Sequence, residues 1–233
     1  MRSIDWLPFK RTIRKMKREK RYMCVKTIHG QWHTQNRMHK WGQTDTALCP
    51  LCSTHPETTV HLLQCPSETA KTTRIAKLLD FRSMLESVET DPKLRNWMMS
   101  SLIQYTNGFP ITHTPVTNDA DLEMVNETYA MQNKLEPRNM FRGLLCTQIS
   151  DLQARWCNEN NHKKRNTMAK WDMSVRKELI TIANEIWMNR CKTVHKENKS
   201  TVESYTLTSA FDLCHKLKRV PWSLPSASRH LFT

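Results

Sequence analysis

Glycine is nearly absent from this sequence. Its 233 residues hold four, Gly30, Gly42, Gly108 and Gly143, the nearest pair twelve positions apart. A glycine-rich phosphate loop sets two or three glycines within a few residues, so both the dinucleotide-binding fingerprint and the Walker-type loop are excluded. The same shortage deprives tight hairpins of their usual turn residues and disfavours an all-β fold. Long apolar runs are missing too. No stretch approaches the roughly 20 residues of a membrane span, and Met1 to Lys10 lacks the apolar segment of a secretory signal. These absences predict an intracellular protein, in nucleus or cytoplasm, with no membrane partner. In such a reducing compartment the eight cysteines read as thiols and metal ligands, not disulfides.

Catalytic patterns are equally scarce. No Ser/His/Asp or Cys/His grouping stands out. The acid-x-Lys element of a metal-dependent nuclease is matched as a string by Asp91-Pro92-Lys93, with Asp80 upstream, and by Glu197-Asn198-Lys199, but these sit on or beside predicted helices rather than adjacent strands. The expectation is a non-enzyme without a small-molecule substrate, with a metal-dependent endonuclease as the least favoured reading.

Positive charge is abundant and unevenly placed. The formal net charge is +14, yet residues 1–48 hold 12 Lys/Arg and 3 Asp/Glu, a net of +9 that leaves +5 for the other 185 residues. The densest run sets Lys10, Arg11, Arg14, Lys15, Lys17, Arg18, Lys20 and Arg21 around one acid, Glu19. Eight like charges on about three helical turns repel one another, and a polyanion relieves the repulsion. Nucleic acid, RNA or DNA, is the expected partner. Trp6, Trp32 and Trp41 flank the run, placed either to stack on bases or to form a small core around a metal.

The remaining periodicity is mainly α. One cationic helix is expected from Pro8 to about His29, followed by a loop or short strand over residues 31–48. Ser67 is a cap for a helix to about Val88, and Asp91-Pro92 opens another that ends at Asn107-Gly108. Further helices follow at Leu122 to Leu135, Pro137 to about Asn160, Met168 to Lys196 and Val202 to Leu217. The organisation expected is a basic helical arm (1–40), a metal module (41–68), a helical hairpin (69–107), a linker (108–120), a helical domain (121–219) and an extended tail (220–233). Apolar stripes from Phe141 to Trp156 and from Trp171 to Trp187 suit a core, or alternatively a docking or dimerisation face.

One constellation carries specific chemistry. Cys49-Pro50-Leu51-Cys52, then His61 and Cys65, spell C-x2-C-x8-H-x3-C. Two cysteines two residues apart fit a turn that aims both thiolates at one metal, and a short helix capped by Thr58 or Thr59 projects His61 and Cys65, four apart, from the same face. Four protein ligands leave no position open to water, so the pattern predicts a structural zinc site, with Leu62 and Leu63 packing beneath it. His55 is a spare ligand, better placed for the surface. Cys146, Cys157, Cys191 and His195 lack the knuckle spacing of a second site, and the three cysteines read as core residues on buried helix faces. Cys24 and Cys214 have no partner pattern.

From Lys40-Trp41-Gly42 through Cys49-Pro50-Leu51-Cys52, Glu57-Thr58 and His61-Leu62-Leu63 to Cys65-Pro66, the segment resembles the zinc-binding region at the C-terminal end of reverse transcriptase polyproteins of non-LTR retrotransposons, downstream of the polymerase and ribonuclease H domains. Ile4-Asp5-Trp6, residues 26–30 and the group Trp187, Asn189, Arg190, Val194, His195 look like the flanks of that region. The resemblance implies a nucleic-acid-associated zinc domain, a fragment or remnant of such a protein, whose ligands fall on Cys49, Cys52, His61 and Cys65 and whose partner includes the element's polymerase. Polymerase activity does not carry over, because no Tyr-x-Asp-Asp element and no acidic ribonuclease H set is present.

Overall fold

The computed structural model describes residues 4–110, 122–160 and 168–195. These residues are mainly helical and hold no β-strand. The predicted caps set the helix starts. Thr58 Oγ1 accepts from the His61 amide to open a short helix, α4 (Thr59–Gln64), and Ser67 Oγ accepts from the Ala70 amide to open α5 (Glu68–Ser87). Asp91 caps α6 (Pro92–Thr106) by accepting from the Lys93 amide, with proline at the first helical position, where no amide hydrogen is needed. Farther on lie α7 (Leu122–Lys134), α8 (Thr147–Glu159) and α9 (Met168–His195).

One apolar core joins these helices. Both predicted stripes turn into it: Phe141, Ile149 and Leu152 meet Trp171, Val175, Leu179, Ile182 and Ile186, all buried. Leu62 and Leu63 of α4 join the same core, which seats the metal module on the helical body.

Local pattern and structure part at three places. The single cationic helix is two, α1 (Trp6–Lys15) and α2 (Arg18–Ile28), because Met16 and Lys17 are extended. The break folds Cys24 back to donate its thiol to Met16 Sδ at 3.2 Å, and Phe9, Met16 and Cys24 bury against Leu144 and Ile180. Burial of both apolar faces on one patch outweighs continuation of one charged helix. The loop expected over residues 31–48 contains α3 (Gln35–Lys40).

Third, the helix expected from Pro137 opens as a 3-10 turn, Pro137–Arg142, that stops at Gly143 in the left-handed region (φ 71°). A Cβ there would lie 2.8 Å from Ile180 Cδ1, so glycine is required both by the backbone and by the space. The Gly143 carbonyl accepts from Arg176 Nη1, and Arg176, fully buried, is held by Asp172 at 2.8 and 3.0 Å.

The basic segment is anchored along one side. Asp5 donates its amide to the Leu145 carbonyl, and Thr27 Oγ1 bonds Asn184 Oδ1 at 2.6 Å. The chain divides into a compact unit through Arg190 and a second from Cys191. Of the second, only residues 191–195 are described, as the end of α9. Residues 111–120 of the predicted linker, the Val202 to Leu217 helix and the tail from residue 220 lie outside the described residues. Among those described, no helix is long and apolar enough to cross a membrane.

Candidate metal centre

The centre is assembled from a turn and a helix. Leu48 and Pro56 pair across a tight reversal in which the Cys49 amide donates to the His55 carbonyl and the Ser53 amide to the Cys49 carbonyl, with Ser53 at φ 56°. This reversal places Cys49 and Cys52 on one side. Thr58 starts α4, which presents His61 from its first turn, and the chain leaves the helix at Cys65, whose backbone is no longer helical (ψ 127°). His61 and Cys65 therefore converge from a helix and from its end, not from one continuous helical face.

The four ligand atoms of Cys49, Cys52, His61 and Cys65 all lie within 4.8 Å of one another. Cys49 Sγ is 3.8 Å from Cys65 Sγ, and Cys52 Sγ is 3.4 Å from His61 Nε2. The two sulfurs are too far apart for a disulfide, and the four residues together could hold a metal ion. Among the described residues this is the one group of three or more such side chains so placed.

The surroundings favour thiolates. Backbone amides of Leu51 and Cys52 point at Cys49 Sγ, those of Thr54 and His55 at Cys52 Sγ, and that of Ser67 at Cys65 Sγ. The hydrogen bond between Cys49 and Cys65 pushes the Cys49 thiol up and holds Cys65 well below the ordinary thiol range. Burial opposes ionisation of Cys52, but hydrogen bonds from the Thr54 hydroxyl and two amides prevail and lower it. Arg74, buried on α5, donates from Nη1 to the Cys65 carbonyl at 2.7 Å. His55 is exposed and lies against the His61 ring, centroids 5.6 Å apart, outside the ligand group.

Three charged groups around the centre, Glu57, Arg190 and Arg74, were not legible as such. Glu57, between the turn and α4, is fully buried and forms a bidentate pair with Arg190 of α9 at 2.6 and 2.7 Å. Its Oε2 also accepts from the Gln35 amide. The one available signal was spacing, since Arg176 and Arg190 fall in register with Leu179, Ala183 and Ile186 on the apolar stripe of α9. Arg74 gave no signal at all.

The basic run is solvent-facing. Lys10, Arg11, Arg14 and Lys15 of α1, Lys17 at the break, and Arg18 and Arg21 of α2 are all exposed, whereas Phe9, Thr12 and Met16 are buried. The side chain of Lys20 is not among those described. Trp6 and Trp41 are about half exposed, whereas Trp32 is buried and stacks on Trp187 with centroids 5.8 Å apart and planes 7° apart.

Of the other cysteines read as core, Cys146 is buried, whereas Cys157 and Cys191 are only half-buried; Cys214 lies outside the described residues. Cys146 is fully buried, its amide donating to Gln132 Oε1, and burial pushes its thiol up. Cys157 accepts from Gln153 Nε2. Asp91 is the α6 cap, and Asp80 pairs with Lys77 at 2.9 Å. Glu197 and Lys199 lie outside the described residues. No protein-family model, no curated protein and no solved structure matches this chain.

Proposed function

We propose that residues 41–68 form a structural zinc module and that the protein is a non-catalytic nucleic-acid-binding domain of a retroelement reverse transcriptase protein, contacting RNA or target DNA through the cationic face of α1 and α2. The observation that carries the zinc assignment is ligand spacing. Zinc bonds of about 2.3 Å to sulfur and 2.0 Å to nitrogen at tetrahedral angles separate two sulfurs by about 3.8 Å and a sulfur from a nitrogen by about 3.5 Å. The Cys49–Cys65 and Cys52–His61 separations are 3.8 and 3.4 Å, and all four atoms lie within 4.8 Å of one another.

Three thiolates and a neutral imidazole around a divalent ion carry a net −1, and the buried Arg74 guanidinium beside Cys65 is the counter-charge. Bound zinc would supply a cross-link between the turn and α4, on the order of 10 kcal/mol of local folding free energy. With all four positions taken by protein, it offers no site for water activation.

Nucleic-acid binding is supported by the exposure of basic side chains along a segment whose other face is docked, so the charge is held in place rather than on a free arm. The resemblance of residues 40–66 to the region downstream of retroelement polymerases supports the same reading, with the parent polymerase as a further partner. The test is a salt titration comparing single-stranded RNA with duplex DNA: affinity falls steeply with salt for at least one of them, with slope about −0.9 per neutralised phosphate on duplex. Salt-independent or absent binding to both overturns it.

A further inference from the structure

Apart from the metal centre, a cavity of about 300 Å3 lies where the end of α2, the start of α4, the end of α6 and the 3-10 turn meet. Its size is at the lower end of the range typical of small-molecule sites. Its lining includes Trp32, Tyr105, Arg138 and Arg142, brought together from segments more than 100 residues apart. No local sequence motif encodes such a cavity.

The Thr27, Thr58 and Thr59 hydroxyls on its wall are already hydrogen-bonded within the protein, and the polar groups left over include strong donors. The Trp32 indole N–H, on a side chain 1% exposed, has no hydrogen-bond partner among the described residues, and neither does the buried Tyr105 hydroxyl. An indole nitrogen can only donate, and each such group left unsatisfied costs about 1–3 kcal/mol. Two guanidinium groups add further donors and no acceptor. Arg142 uses one donor on Asn139 Oδ1 and rests against Gly30, where a Cβ would lie 3.5 Å from its Nη2. Burial first, and the neighbouring Arg138 charge second, push Arg142 below its ordinary range, so the two cations feel each other. Glu136 is exposed and pairs with Arg138 without lining the cavity.

The unpartnered indole and the two guanidinium groups call for a ligand group with several acceptors and net negative charge. A phosphate group meets both requirements, and Arg is suited to it by its planar fork. The space exceeds that of one phosphate and is bordered by Val60, Leu63 and Phe141, which suits an esterified phosphate whose organic part lies on an apolar wall. We propose that this cavity binds a phosphate ester, one nucleotide unit of a nucleic-acid strand, through Arg142, Arg138, Tyr105 and the Trp32 indole N–H. The assignment stands on these donors and is independent of the cationic face of α1 and α2.

The test is amide and indole NMR of the full-length protein, with the Trp32 signal assigned from Trp32→Phe, on titration with inorganic phosphate, AMP, adenosine and a short single-stranded oligonucleotide. Expected is a saturable shift of the Trp32 indole signal with AMP and phosphate but not adenosine, while the equally unpartnered Trp97 indole, outside the cavity, stays in place. Arg142→Gln weakens AMP binding by roughly tenfold or more. Glu136→Gln, by releasing Arg138, strengthens it, a direction that misfolding cannot produce. A stronger response to the oligonucleotide than to AMP supports the strand as the source of the phosphate, and the reverse supports a free nucleotide at the same donors. No saturable Trp32 shift with phosphate or AMP, an equal response to adenosine, or unchanged affinity in both variants overturns the proposal.

Discussion

Glu57 and Arg190, 133 positions apart, meet in a bidentate ion pair at 2.6 and 2.7 Å, with Glu57 fully buried and Arg190 4% exposed. The pair ties the turn before α4 to α9, and the Arg190 guanidinium lies over the Trp187 ring, 5.2 Å from its centroid. Trp187 in turn stacks on Trp32. The segment carrying the metal ligands is thus clamped to the longest helix by charge on one side and aromatic packing on the other.

Breaking that clamp on one side leaves a charge buried alone. Arg190→Met should destabilise the fold by about 3–5 kcal/mol, whereas Arg190→Met combined with Glu57→Gln should recover much of that stability, because no uncompensated charge remains. Denaturant midpoints of the two variants decide this.

Metal content should be one zinc per chain. Cys49→Ser or Cys65→Ser should abolish stoichiometric binding and expose the amides of residues 41–68 to hydrogen exchange, with α5 to α9 keeping most of their protection, since all of the main core but Trp32, Leu62 and Leu63 is drawn from residues after the module. Metal analysis showing no zinc in purified, reduced protein removes the assignment.

Zinc affinity should rise with pH. The metal-free ligands bind more protons than the metal-bound ones, so protons compete with the ion. The hydrogen bond with Cys65 pushes the Cys49 thiol up, so proton release from that pair should extend the rise in affinity to higher pH than ordinary thiols would give. Competition with a chelator across pH 6 to 9 measures the slope; a flat profile would contradict thiolate ligation.

Replacing Arg14, Lys15, Lys17 and Arg18 by Gln should flatten the salt dependence of nucleic-acid binding by about 0.9 for each duplex phosphate that is no longer neutralised. Arg14, Lys15 and Lys17 are exposed, so the fold should be unaffected. An unchanged slope with unchanged affinity places the binding surface elsewhere.

Gly143→Ala should cost about 2–4 kcal/mol, since the residue must adopt a positive φ and its Cβ would strike Ile180. Thermal unfolding of this variant beside Gly42→Ala separates backbone strain from crowding, because Gly42 also has a positive φ but open space around it.

Much of this protein was written locally. Helix class, the caps at Thr58, Ser67 and Asp91, and the grouping of Cys49, Cys52, His61 and Cys65 depend on residues within about sixteen positions of one another, whose side chains act on their own backbone or share one turn and helix. Tertiary structure decided the rest. Met16 and Cys24 broke the cationic helix because both could be buried on Leu144 and Ile180, and Trp32 became core by finding Trp187. Glu57 and Arg190, like the donors Trp32, Tyr105, Arg138 and Arg142, acquire their roles from partners remote in the chain. Burial turns an ordinary surface charge or a plain aromatic residue into a group that must be paired, and which groups are buried together is set by packing of the whole core rather than by any local pattern.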